Sequence, residues 1–153
     1  MRSTKSVLLV EDDTIDAMTV RRAFKDLKLT NSLAHRINGE EALAYLEDPA
    51  EEMPCVILLD LNMPRMNGAE FLKVIKAKEH LKSIPVIVLT TSNEERDVVE
   101  SFRLSVAGYI VKPVDYQKFV EAIRTLDLYW TVSELPGHEK GTHHVENATS
   151  IAH

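Results

Sequence analysis

Four short, nearly continuous apolar runs, SVLLV (6–10), CVILL (55–59), PVIVL (85–89) and GYIV (108–111), recur along the chain. Each gives way at once to polar or charged residues. Near-continuous apolar runs of this length are how strands look when both faces of a sheet are covered. A fifth segment, SLAHRI (32–37), is mixed and suits an edge strand. Between these segments, residues 14–28, 39–47, 68–78, 93–105 and 116–130 place apolar side chains at helical spacing. Strand and helix thus alternate five times across short connections. That predicts right-handed crossovers and a doubly wound α/β sheet.

Local signals sharpen the boundaries. The first helix is expected to bury Ile15, Met18, Ala23, Phe24 and Leu27, and the last to bury Phe119, Val120, Ile123, Leu126 and Trp130. Asn67 with Glu70, and Ser92 with Glu95, have cap spacing, and Asp115 is placed to cap the last helix. Asp13 can be read either as a cap or as part of an acidic group. The stretch EDPAEEMP (47–54) is expected to be a loop. Beyond Leu135 the pattern dissolves, and residues 132–153 read as a flexible tail whose histidines match no strong metal template.

Composition narrows the partners. With 153 residues, 44% hydrophobic and 27% charged, the chain fits one ordinary soluble core. A net charge of −6 argues against broad binding to nucleic acid or to an anionic membrane. The single cysteine, Cys55, allows no internal disulfide and suits the cytoplasm. No stretch reaches the ~18 apolar residues of a membrane span.

The residues that end the strands carry the chemistry. The first strand ends in Glu11, Asp12 and Asp13, the third in Asp60, the fourth in Thr90, Thr91 and Ser92, and the fifth in Lys112 and Pro113. In an open parallel sheet ligands bind outside the carboxyl ends of the strands, so these groups share one edge. Clustered carboxylates repel, and one ammonium cannot balance them. A hard dication can, which predicts a Mg²⁺ site built from Asp12 and Asp60 with Glu11 or Asp13 behind it. A carboxylate is also a nucleophile toward phosphorus. Asp60 stands alone at its strand tip and is the expected phosphoacceptor, with Lys112 supplying charge and Thr90 a hydrogen bond. The bland alternatives are a capping acid, a solvated lysine and a turn threonine. Each is the commoner reading singly, and joint placement on one edge favours the site.

Together LLVEDD, LLDLNMPRMNG, VLTTS and YIVKP resemble the receiver domain of two-component response regulators over residues 5–131. The longer wording is most similar to the stand-alone regulators that partner bacterial and cyanobacterial phytochromes. The resemblance implies a flavodoxin-like five-stranded parallel sheet of order 2-1-3-4-5 with five helices. It implies Asp60 as phosphoacceptor, Asp12 on Mg²⁺ (or Mn²⁺), Glu11 acting through water, and the Asn62 carbonyl completing the metal shell. It further implies Thr90 as switch hydroxyl, Lys112 on the phosphoryl group, Tyr109 as the aromatic that turns inward, and a cis bond before Pro113. Asn62 and Ser92 occupy positions that tune phosphate lifetime. The donor is then a sensor histidine kinase, His35 and His80 being packing or surface residues. No output domain follows, so signalling is expected through the fourth helix, fifth strand and last helix, where Tyr129 and Trp130 offer a homodimer contact. A member of a multi-step relay is a variant of the same reading, as is a receiver that has lost its chemistry, against which the intact set of site residues argues. A Mg²⁺-dependent phosphohydrolase would need an acid where Asn62 stands. A flavin-binding domain would need a Ser, Thr and Gly loop where EDDT stands.

Overall fold

The computed structural model describes residues 6–61, 63, 66–90, 97, 99–100, 104, 106–112 and 115–133, the side chains of the last helix through residue 125. Five strands, β1 (Val7–Val10), β2 (Leu33–Arg36), β3 (Val56–Asp60), β4 (Val86–Thr90) and β5 (Gly108–Val111), form one parallel sheet in the order β2-β1-β3-β4-β5. Four helices are described: α1 (Thr14–Asp26), α2 (Gly39–Glu47), α3 (Gly68–Lys76) and α4 (Tyr116–Ser133). The helix expected over 93–105 lies mostly outside the described residues; of it, Asp97, Val99 and Glu100 are helical. Tyr129 and Trp130, offered above as a dimer contact, have side chains outside the described set, and so does nearly all of the expected tail.

Strand alternation divides the core. Val7, Leu9, Val56, Leu58, Ile87 and Leu89 face α1 and α4, packing on Val20, Phe24, Phe119 and Ile123. Leu8, Val10, Ile57, Leu59, Val86 and Val88 face α2 and α3, packing on Leu46, Phe71, Leu72 and Ile75. The central strands are fully buried, whereas β2 is half-buried as an edge strand should be.

One expected stripe is corrected. Helix α1 buries Ala17, Val20, Ala23 and Phe24, while Ile15 and Met18 stand 74% and 61% exposed. Positions 17, 20, 23 and 24 form a stripe at helical spacing, and Ile15 and Met18 lie off it. Hydrophobicity alone misassigned them. Two of the expected caps are present, and the third, Ser92 with Glu95, lies outside the described residues: Asn67 and Glu70 form a reciprocal capping box, and Asp115 accepts from the N–H of Gln117 at 2.9 Å. The loop after α2 is present and pinned, with Glu52 accepting the N–H of Ser6 at 3.2 Å.

Glycine is demanded at the start of α3. A Cβ on Gly68 would lie 2.5 Å from the Asp60 carbonyl oxygen and 2.5 Å from Leu61 Cα, both backbone atoms that cannot rotate away. Gly68→Ala is therefore expected to destabilise the fold by about 1–3 kcal/mol through overpacking. The strain falls on the tip of β3, so the same variant should bind metal and phosphoryl mimics more weakly. Urea denaturation reads the first effect, and unchanged stability would show that the β3–α3 connection yields freely.

Candidate functional site

The register sets the strand tips level. Val10 pairs with Leu59, Asp60 with Leu89, and Thr90 with Val111. Residues at these pairs or one to two steps past them are therefore delivered to one edge: Glu11 and Asp12 from β1, Asp60 from β3, Thr90 from β4, and Lys112 from β5. The backbone reinforces the convergence, because the Lys112 N–H donates to the Thr90 carbonyl at 2.7 Å. Glu11, Asp60 and Thr90 are buried, at 0%, 2% and 4% exposure, while Asp12 is exposed.

Lys112 is the centre of the arrangement. Its Nζ lies 3.0 Å from Glu11 Oε1, 3.1 Å from Asp60 Oδ1 and 2.9 Å from Asp16 Oδ2. Burial works to lower the Lys112 pKa, but the hydrogen bonds to Asp16 and Glu11 and the charge of Asp60 outweigh it, and the net shift is upward. The ammonium is therefore charged at any physiological pH. Glu11 is also pushed up, from 4.5 to about 8, first by burial and then by the charge of Asp60, with Lys112 opposing both.

A group of three carboxylates and one ammonium retains excess negative charge. Glu11, Asp12 and Asp60 each offer an oxygen, and these oxygens lie within 4.8 Å of one another. Oxygen-only donors, two of them buried and mutually repelling, fit a hard divalent cation. The site opens to solvent as a cleft of ≈ 520 Å³ lined by Glu11, Asp12, Asp13, Thr14, Ile15, Asp16, Asp60 and Lys112. Asp13 lines it but is engaged as the α1 cap, accepting from the N–H groups of Ile15 and Asp16 at 2.8 and 3.0 Å. That resolves the choice between cap and acidic group.

Glu11 makes the metal-free protein sensitive to pH. Its ordinary value of 4.5 is raised to about 8 in the fold, so between those values the folded chain holds a proton that the unfolded chain has released. The contribution is fully present below about pH 4.5 and is lost as pH rises toward about 8. A dication binds the ionised form and returns that stability. The thermal shift on adding Mg²⁺ or Mn²⁺ is thus expected to be larger near pH 8 than at about pH 5.5. A metal-induced shift that ignores pH would remove Glu11 from the metal's surroundings.

Tyr109, opposite Val88 in the register, is 5% exposed and lies in the core beneath α2 and α3. The aromatic is thus buried on that side of the sheet. Asn62, Ser92 and Pro113 lie outside the described residues, and with them the expected metal-ligating carbonyl, tuning positions and cis bond.

Two contributors escaped the sequence reading. Asp16 sits on the first turn of α1, four residues beyond Asp12, and one helical turn brings it back toward the strand tips. The acid-rich wording EDDTID held that signal. His35, read as a packing or surface residue, has Nε2 2.7 Å from the Glu11 carbonyl oxygen, so Nε2–H donates and fixes the tip of β1 from the neighbouring strand. Its pairing with Leu9 places it there, and only strand register reveals it.

Residues 7–124 match the sequence model of the response regulator receiver domain. The chain is 36% identical over 127 residues to the probable methanogenesis regulatory protein FilR2 of Methanothrix harundinacea, covering 81% of this chain and 82% of the relative. It is 36% identical over 130 residues to the response regulator Rcp1 of Synechocystis, covering 82% and 88%. The Mn²⁺-bound structure of Rcp1 superposes with a TM-score of 0.72 at 34% identity, over 84% of this chain and 95% of that one. The phosphorylated cyanobacterial phytochrome response regulator RcpA gives a TM-score of 0.75 at 34% identity, over 87% and 97%.

Proposed function

This chain belongs to the response regulator receiver-domain family, and we propose that it accepts a phosphoryl group on Asp60 from a sensor histidine kinase. The observation that carries the proposal is the Lys112 ammonium, 3.1 Å from Asp60 Oδ1, beside the acidic group formed with Glu11 and Asp12. An isolated surface carboxylate has neither a fixed cation nor a metal site.

The residues act as follows. Asp60 presents a carboxylate oxygen to phosphorus; the O–P bond forms as the donor's P–N bond breaks, and the electron pair stays on the donor imidazole, which takes a proton. Lys112 donates to the transferred phosphoryl oxygens and offsets their charge, as phosphoryl transfer requires. Thr90, one strand over, donates its hydroxyl to the same group. Asp12 and Asp60 directly and Glu11 through water, with the Asn62 carbonyl that the family resemblance adds, would hold Mg²⁺, which would supply Lewis-acid neutralisation of phosphoryl charge. Ile15, which lines the cleft, and Met18, one helical turn on, are both exposed and would give the donor protein an apolar foothold.

The phosphorylated form adds nearly two negative charges at Asp60. Drawing Thr90 toward them clears space on the side where Tyr109 packs, and favours the buried ring. Phosphorylation then acts by shifting a population toward that arrangement. The readout surface is the face formed by β5, α4 and the segment preceding β5.

A phytochrome-type kinase is the proposed donor, because Rcp1-like and RcpA-like structures resemble the chain over most of its length. The test is a phosphotransfer screen with purified histidine kinases, phytochromes included, in Mg²⁺ and then in EDTA, with the labelled peptide mapped. Label on the peptide containing Asp60 that is lost in EDTA is expected. Label elsewhere, or label indifferent to EDTA, refutes the assignment. Transfer only from kinases of other sensory classes would keep the phosphoacceptor and discard the phytochrome pathway.

A further inference from the structure

Lys112 has three N–H donors and three carboxylates around it. Glu11 and Asp60 come from strand tips and are buried, so their positions are fixed by the sheet. Asp16 comes from α1, its side chain is 31% exposed, and its Oδ2 accepts from Lys112 at 2.9 Å, the shortest of the three contacts. The receiver reading requires Glu11 and Asp60 to lie beside the ammonium. It does not require Asp16, which contributes a further full negative charge within reach of the phosphoryl site.

We infer that Asp16 is a positioning residue that acts through Lys112 as a brake on loading. It holds the ammonium by a charged hydrogen bond and cancels part of the field that an incoming phosphoryl group would otherwise meet. This rests on the assignment of Asp60 as phosphoacceptor. The two roles of Asp16 separate by chemistry. Its hydrogen-bond acceptor orients Lys112, while its charge weakens the attraction of Lys112 for an anion. The Asp16→Asn variant keeps an acceptor oxygen and removes the charge. Asp16→Glu keeps the charge on a longer stem.

The binding of beryllofluoride, an anionic mimic that attaches to a carboxylate oxygen, is measured on the full chain at saturating Mg²⁺ for each variant. The rate of labelling by acetyl phosphate is measured beside it. Asp16→Asn is expected to bind beryllofluoride about tenfold tighter and to label several-fold faster, the scale of one nearby charge in a partly screened site. Asp16→Glu should stay close to the parent. The difference between Asp16→Asn and the parent should shrink in high salt. A purely structural Asp16 would instead give two variants that both weaken binding, or a change indifferent to salt, and either result overturns the inference. Unchanged or weaker binding by Asp16→Asn overturns it too. Should the parent itself take up no label, the phosphoacceptor reading fails, which is separately visible with Asp60→Asn as control.

Discussion

Asp60→Asn is expected to abolish labelling by acetyl phosphate while making the metal-free protein more stable near pH 8. The first effect is chemical. A carboxamide oxygen is too weak a nucleophile toward phosphorus, and it offers a metal no charge. The second follows from the neighbours. The charge of Asp60 is the second largest cause, after burial, of the rise in the Glu11 pKa to about 8. Removing it lets Glu11 ionise at lower pH inside the fold. It also relieves a repulsion between two carboxylates that are both almost wholly buried. Lys112 still has Glu11 and Asp16 as partners, at 3.0 and 2.9 Å. The gain should be on the order of 1 kcal/mol near pH 8, corresponding to about one unit of pKa. It should fade toward about pH 5, where Glu11 is protonated in the parent fold as well. Added Mg²⁺ should stabilise the parent and leave the variant nearly unchanged. Labelling assays and urea denaturation at two pH values check both arms. Retained label would reject Asp60 as phosphoacceptor, and lost stability at pH 8 would reject the repulsion.

The opposed signs describe a site that costs the fold something in exchange for its chemistry. They also mark what could be read from sequence. The alternation of apolar runs with helical stretches located β1, β3, β4 and β5 to within about one residue, because strands buried on both faces carry no other pattern. The strand tips then delivered Glu11, Asp60, Thr90 and Lys112 to one edge with no further assumption than parallel order. The contributions of Asp16 and His35 were not legible in this way. Asp16 reaches Lys112 across 96 positions of sequence, through the orientation of one helical turn. His35 depends on the register of β2 against β1, which no local pattern fixes. Ile15 and Met18 failed for a related reason. Hydrophobicity says that a residue gains by burial, but whether it is buried depends on where the helix axis lies over the sheet, and here the sheet faces Ala17, Val20 and Phe24. A helical stripe containing alanines is harder to see than one containing isoleucine and methionine.

Removal of the ammonium should be the most damaging single change at the site. Lys112→Met keeps the unbranched apolar stem and lacks only the terminal ammonium, so packing is little altered, but it leaves Glu11, Asp16 and Asp60 without the cation they share. Stripping one partner from a buried ion pair typically costs about 3–5 kcal/mol, because the remaining charge stays desolvated. Here part of that is recovered by protonation, since Glu11 is already displaced to about 8 and the loss of Lys112, which pulls it down, moves it higher. The net cost is therefore expected to be about 2–3 kcal/mol near pH 8 and smaller at about pH 5.5, where Glu11 is neutral from the start. Saturating Mg²⁺ should restore much of the stability, as the dication takes over the counter-charge. It should not restore function. The transferred phosphoryl group would keep one cation and lose the other, so beryllofluoride binding should fall by about tenfold or more even in Mg²⁺. Denaturation with and without Mg²⁺, beside beryllofluoride titration, separates the two consequences. A variant as stable as the parent without metal would mean that the three contacts to Lys112 contribute nothing net. One that bound the mimic normally would mean that the ammonium does not meet the phosphoryl group at all.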